Sequence, residues 1–326
     1  MKSGTARSRI AGVLVAGATA MAATACGGGP GGAAADNTVT VSFSQVVADE
    51  LPLWIADEAG LFKAQGLGVK LVSLSSSDGF PALVSGQTQL ASIGASEMVS
   101  GAAAGGAVSY LATLTPVFPY ELFAKVSDPR QLKGKRIGVT STSGSLYIAT
   151  LEALKQVGLG PTDVELTPLG SVTNVNNALV AGTIDAALSH PPATTQIEAA
   201  GFHPLVDLAK QNIPTSNVGV AATNDYVKGH GDQIRRFMVA LQQAIKREKS
   251  DEVYSSRLLA EHLQVKDPKS LHETWDYYAN EVLPDVPTPT VAQLQTSVTE
   301  LAPTLPAVKG LDVSTLVNAS FLAPAG

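Results

Sequence analysis

The chain has 326 residues, 22 Lys+Arg against 28 Asp+Glu, a net charge of −6, 45% hydrophobic residues and only 15% charged ones. This excludes a disordered chain, and the length exceeds what one small core organises, so two lobes are expected. The acidic balance argues against a nucleic-acid partner, and a single cysteine excludes both a disulfide framework and a cysteine-based zinc cluster.

Lys2, Arg7 and Arg9 open the chain, and Ile10 to Ala23 follows without a charge. An apolar stretch this short after a basic start predicts an export signal rather than a membrane span, and no spanning run occurs after residue 25. Ala23-Thr24-Ala25 then precedes Cys26, the sole cysteine. A cysteine directly after small residues resembles a bacterial lipobox, although Ala23 stands where leucine is commoner. The resemblance implies that the thiol takes a diacylglyceryl group, palmitate being the fatty acid, and that this cysteine becomes the first mature residue; the alternative is a plain secretory signal with an incidental thiol. Cleavage before Cys26 removes three basic residues and no acidic one, taking the net charge from −6 to −9. Gly27 to Asn37, GGGPGGAAADN, reads as a flexible tether.

Strands are expected at 39–43, 69–74, 89–93 and 108–114, with helices at 52–65, 80–85 and 96–104. Gly66 and Gly68 are expected to stop the first helix, and Trp54 reads as core. A second series has strands at 135–140, 164–169, 184–188, 205–208 and 218–223, and helices at 146–157, 173–181 and 193–200. From Asp225 the chain turns helical, with a long amphipathic segment at 232–249 and more helices at 254–263, 268–281, 290–301 and 313–317. Strands alternating with short helices give an α/β fold of two lobes, each a mostly parallel sheet flanked by helices, with a helical C-terminal tail. The expected division is a signal peptide over 1–25, anchor and linker over 26–37, lobe one over 38–124 plus 220–326, and lobe two over 125–219.

No catalytic motif emerges. Gly94-Ala95-Ser96-Glu97-Met98 lacks the second glycine of a nucleophile elbow, Gly66-Leu67-Gly68 lacks the third of a dinucleotide loop, and Gly134-Lys135-Arg136 is not a Walker motif. The five histidines form no helical pair, so no metal and no cofactor is expected. In parallel α/β sheets, ligands sit beyond the carboxyl ends of the strands. The loops there (43–51, 73–81, 93–98, 113–121, 139–146, 168–177 and 188–194) are rich in hydroxyls and amides. Candidate ligand-binding residues are Ser44, Gln45, Ser76, Ser77, Ser96, Glu97, Tyr120, Thr142, Ser143, Gly144, Ser145, Asn174 and His190. Each hydroxyl or amide can equally be an ordinary helix cap. Thr142-Ser143-Gly144-Ser145 is the sharpest, since glycine lets backbone approach a ligand and the next helix offers N–H donors. None of the seven loops holds Lys or Arg, whereas Asp49, Glu50, Asp78, Glu97 and Glu121 fall within them. That favours a neutral, zwitterionic or cationic solute over an anion. Phe43, Phe80, Phe118, Tyr120 and Tyr147 can stack on a flat ligand or fill the core.

An exported chain of this organisation resembles the substrate-binding proteins of bacterial ABC importers. Pro52-Leu53-Trp54-Ile55-Ala56-Asp57-Glu58-Ala59-Gly60-Leu61-Phe62 is similar to the first helix of the nitrate/sulfonate/taurine class, which includes binders of the thiamine-precursor pyrimidine. Leu132-Lys133-Gly134-Lys135-Arg136-Ile137-Gly138-Val139 is similar to that class's second-lobe opening, and Ala181-Gly182-Thr183-Ile184-Asp185-Ala186 to a later segment. The resemblance covers roughly residues 38–250. It implies a type II periplasmic-binding-protein clamp that closes on a small solute by hinge bending. It further implies partnership with ABC permease and ATPase subunits, and a lipid-anchored place on the extracytoplasmic face of the cell membrane. The alternatives are an enzyme on the same scaffold, with His190 beside Ser143 or Glu97, and a ligand-sensing surface lipoprotein outside transport.

Overall fold

The computed structural model describes residues 37–75, 78–142 and 144–323. The expected signal peptide, the tether up to Asp36, Cys26, and the candidates Ser76, Ser77 and Ser143 lie outside the described residues. The first series comprises β1 (Thr38–Phe43), α1 (Leu51–Glu58), α2 (Leu61–Ala64), β2 (Gly68–Ser73), α3 (Gly79–Val84), β3 (Leu90–Ile93), α4 (Ala95–Ala103) and β4 (Val108–Thr113). The second comprises β5 (Glu121–Ala124), β6 (Arg136–Val139), α5 (Ser145–Gln156), β7 (Glu165–Pro168), α6 (Val172–Val180), β8 (Ala186–Ser189), α7 (Ala193–Ala199) and β9 (His203–Asp207). β10 (Gly219–Thr223), α8 (Asn224–Gly229), α9 (Gly231–Ser250), α10 (Glu252–Leu263), α11 (Pro268–Asp276) and α12 (Val291–Leu301) complete the described elements, with a π-helical turn at Tyr277–Val282 after α11.

Among the described residues, two five-stranded sheets result, ordered β2-β1-β3-β10-β4 and β7-β6-β8-β5-β9. In each, one strand runs against the other four: β10 is antiparallel to β3 and β4, and β5 to β8 and β9. The sheets are therefore mixed, with the parallel strands of the βαβ units interrupted by one that returns from the other sheet.

Two sequence expectations fail for local reasons. The segment 52–65 is not one helix: Gly60 adopts φ +68, a left-handed conformation that ends α1 and starts α2 at a new angle. The strand β5 was not foreseen, and Glu121–Ala124 lies in the second sheet although the expected boundary put it in lobe one. Its four residues are too few to show an alternating pattern; the partners on both sides define it.

Packing follows the patterns read from sequence. Ile234, Phe237, Met238, Leu241, Ala244 and Ile245 of α9 are buried against α1 and α2, with the Phe62 and Phe237 rings stacked at 4.8 Å. Trp54 is buried there too, stacked on His262 at 4.1 Å. Each such aromatic contributes roughly 2–3 kcal/mol of burial. A second apolar cluster runs from Met98 and Tyr110 through Leu294 and Leu301 of α12 to Ile137, Leu154 and Leu188 of the second sheet. α12 packs on both α4 and α5, so the tail buttresses both sheets. Among the described residues, no helix is long and apolar enough to cross a membrane.

Candidate functional site

Two crossings join the sheets: residues 114–120 between β4 and β5, and 208–218 between β9 and β10. They are bonded to each other. The N–H groups of Leu114 and Thr115 donate to the Val218 carbonyl, and that of Asn217 donates to the Thr115 carbonyl at 2.9 Å.

Asn217 is the hub of the crossing. Its Nδ2 donates to Asp49 Oδ1 at 3.0 Å, its Oδ1 accepts from the Tyr120 hydroxyl at 3.0 Å, and its carbonyl accepts from Ser145 Oγ at 3.1 Å. One residue thus ties the turn after β1 to both crossings and to the start of α5.

Asp49 is fully buried and accepts two further bonds, from Thr115 Oγ1 at 3.0 Å and from the Tyr278 hydroxyl at 2.7 Å. The Tyr278 oxygen in turn lies 3.2 Å from His190 Nδ1, which also faces the Pro191 carbonyl at 2.8 Å. A carbonyl only accepts, so Nδ1 carries the ring proton, and in the neutral ring Nε2 presents a lone pair. Nε2 is buried without a hydrogen-bond partner among the described residues. Burial, reinforced by the Asp49 charge, pushes the Tyr278 and Tyr120 hydroxyls well above their ordinary range, so both stay donors.

A cavity of about 690 Å³ opens over these groups. Ser44 to Ala48 and Ser73 to Ser75 line it from the first sheet, Gly170 to Thr173, Asn176, Asn177, His190, Pro192, Ala193 and Gln196 from the second, and His262, Leu263 and Val265 from the end of α10. Behind it a chamber of about 40 Å³ shares Ser44, Gln45, Val47 and Val172, and is closed by Glu50, Gly94, Glu97, Tyr120, Thr140, Ser145, Leu146, Asn217 and Val218. The arrangement is a polar cleft between two α/β sheets, roofed by side chains from both.

Among the described residues, two carboxyl groups face the chamber. Glu97, half-buried in the first turn of α4, accepts from Ser96 Oγ at 2.8 Å and from Ser145 Oγ at 3.4 Å. Burial raises its pKa, against which the Ser96 bond and the hydroxyl and backbone N–H of Ser145 act. Glu50 is buried, with Ser92 Oγ donating to both its oxygens at 3.0 and 2.8 Å. Burial raises its pKa well above the usual range, the Ser92 bond opposes this, and the Asp49 charge adds to it.

Of the residues proposed from sequence, Ser44, Gln45, Glu97, Tyr120, Ser145 and His190 line one cavity or the other. Ser96 stands directly behind Glu97, and Gly144 caps α5 beside it. Thr142 and Asn174 do not join them. Both are exposed, and the Asn174 amide donates to the Leu169 carbonyl at 2.8 Å, within its own turn. Thr140, Asn176 and Asn177 hold the neighbouring positions in the cleft. Of the aromatics considered, Tyr120 alone lines either cavity; Phe118 and Tyr147 are core. His190 bonds neither Glu97 nor any serine among the described residues. Sequence reasoning missed Asn217, Tyr278, Gln196 and the end of α10. Asn217 lay within 216–220, where the second lobe is expected to end, which was the available signal; Tyr278 lay within an apparently ordinary helix.

Gly94 carries a prediction. Its φ of −81 suits any residue, so glycine is needed for space rather than conformation. A Cβ there would stand 2.0 Å from Ser145 Oγ, 2.7 Å from the Asn217 carbonyl and 2.8 Å from Glu97 Oε2. Gly94→Ala is expected to hold the sheets apart while leaving each core intact. Hydrogen exchange should then quicken at 114–120 and 208–218 by about tenfold or more, from the ~1–3 kcal/mol cost of overpacking. Unchanged protection in those segments would contradict the close approach.

A family model described as NMT1/THI5 like matches residues 48–250. The 4-amino-5-hydroxymethyl-2-methylpyrimidine phosphate synthase of Uromyces fabae is 31% identical over 144 residues, 42% of this chain and 41% of that protein. The chain spans less than two thirds of the length of the curated relatives it matches. Among solved structures, the alkanesulfonate-binding protein SsuA of Xanthomonas axonopodis pv. citri, bound to MOPS, superposes with a TM-score of 0.72 at 20% identity, covering 88% of this chain and 99% of that one. The periplasmic aliphatic sulphonate binding protein SsuA of Escherichia coli gives 0.69 at 19% identity, covering 86% and 96%. These likenesses identify the periplasmic-binding-protein fold.

Proposed function

The chain belongs to the NMT1/THI5-like family, and we propose that it is an extracytoplasmic solute-binding lipoprotein that captures a small organic solute between its two lobes for an ABC importer. The observation that carries this reading is the cleft itself. Its lining comes from both sheets, and the two bonded crossings beneath it form a short ribbon about which one sheet can bend. The leader, with its sole cysteine after small residues, supports export and anchoring at Cys26. The lobes are proposed to be 38–120 with 219–323 and 121–218, the boundary following the sheets.

The test uses the full chain in membranes of an expressing bacterium. Palmitate label is expected on the protein and is expected to be lost in Cys26→Ser. In detergent, a cognate solute is expected to saturate, to change emission from Trp54, which stacks on the cavity residue His262, and to slow exchange in both crossings. A solute at 100 times its Kd should add about 2.7 kcal/mol of stability. Saturable binding with no added protection in the crossings would refute a clamp.

One observation favours a second reading, an enzyme on this scaffold. The Uromyces fabae relative is named a synthase, and here His190, whose buried Nε2 has no partner among the described residues, lines the cleft. Chemical conversion of a bound solute, followed by mass spectrometry, separates the two.

A further inference from the structure

We propose that the cleft selects a solute carrying a cationic N–H group, an ammonium or amidinium, seated at the inner chamber between Glu97 and Glu50, and that Glu97 bars monoanionic solutes. The proposal rests on reading the cleft as a solute site, and three observations carry it.

First, the chamber presents two carboxyl groups and no lysine or arginine among its described lining residues. Burial favours the proton-bearing form of both carboxyl groups, and a solute cation that displaces the proton supplies the partner an ionised group there needs. At about 40 Å³ the chamber admits one small group rather than a ring.

Second, the position that would suit an anion is taken. The twelve-residue helix α5 begins at Gly144–Ser145, and helix starts attract negative charge. Here the Glu97 carboxylate arrives from the other sheet and accepts from Ser145 Oγ. A Cβ on Gly144 would stand 3.3 Å from Glu97 Oε1, so the carboxylate covers that end of the helix. An incoming sulfonate or carboxylate would have to displace it and would meet its charge.

Third, His190 is 4% exposed, lines the adjoining cavity, and has its Nδ1 proton committed to the Pro191 carbonyl and the Tyr278 oxygen. Its buried Nε2 has no partner among the described residues and is an acceptor in the neutral ring, available to an N–H or O–H of the solute that reaches it as the cleft closes. Acceptors at both depths of the cleft describe a donor-rich, positively charged ligand.

The test compares benzamidine, benzamide and benzenesulfonate, three rings of similar size and different charge, by calorimetric titration of the full chain. Benzamidine is expected to bind about tenfold or more tightly than benzamide, the scale of one charge-assisted hydrogen bond, and benzenesulfonate not at all. Glu97→Gln should lose the preference for benzamidine and admit benzenesulfonate; Glu97→Asp, confirmed folded by circular dichroism, should keep the order. Benzenesulfonate bound to the unaltered protein as tightly as benzamidine, or an unchanged order in Glu97→Gln, overturns the proposal. If benzenesulfonate binds and slows exchange in the crossings, the charge selection fails while the solute clamp stands. If no probe of any charge binds, the charge selection fails, and the clamp is judged by the cognate-solute test above.

Discussion

Asp49→Ala is expected to destabilise the protein by about 3–5 kcal/mol, read as a lower urea midpoint with an unchanged slope. The size follows from what the substitution strands. Asp49 is fully buried and receives Thr115 Oγ1, Asn217 Nδ2 and the Tyr278 hydroxyl. Alanine leaves three buried donors without an acceptor, each costing about 1–3 kcal/mol before the surroundings relax. The partners lie 66, 168 and 229 residues away along the chain, so no local adjustment replaces them together. Asp49→Asn should fall between alanine and the native protein, because its amide keeps one acceptor oxygen but turns a nitrogen toward donors. The loss should extend to solute binding, since the Tyr278 hydroxyl that orients His190 is released. A midpoint shift in Asp49→Ala equivalent to less than about 1 kcal/mol would falsify the three-donor account.

That network also marks where sequence reading stops. The helices were legible because a surface helix advertises its buried stripe: the segment 232–249 read as amphipathic is α9, whose apolar stripe is buried against α1 and α2. The serine, glutamine and histidine lining of the two cavities was legible because the loops at the strand ends of an α/β sheet frame a crevice. Asp49 was visible only as an acidic residue in such a loop, and Asn217 only as a residue near the expected end of the second lobe. Their roles arise from contacts between distant segments, and periodicity carries no information about those. β5 was missed for the same reason, its identity as a strand resting on β8 and β9 at either side. Gly60 and Gly94 show the two faces of the residue. The first is read correctly as a break once its left-handed backbone is known, and the second matters through a contact with Ser145 across the cleft.

Stability is expected to fall between pH 5 and pH 8, and Glu248→Met is expected to remove a large part of that fall. Glu248 is fully buried on α9, and neither of its carboxyl oxygens has a hydrogen-bond partner among the described residues. Burial raises its pKa well above the ordinary value of 4.5, the Asp49 charge raises it further, and Lys249 opposes. Glu50 shifts in the same direction, also chiefly through burial. A carboxyl group that holds its proton to higher pH when folded binds more protons in the folded state across that window. Its contribution to stability is therefore fully present below about 4.5 and is lost as pH rises through the raised folded value. Asp128, Asp163 and Asp285 shift downward through their Arg130, Gly160 and Lys249 hydrogen bonds; they lie at the surface, and their opposite contribution is lost at more acidic pH. Methionine nearly matches glutamate in length and removes the buried charge. The variant should gain about 1–3 kcal/mol at pH 8 and little at pH 5, measured as urea midpoints in the two buffers. An equal gain at both values would mean that side-chain fit, rather than ionisation, governs the site. A loss at both would mean that the Glu248 carboxyl holds a partner that the fold supplies in solution.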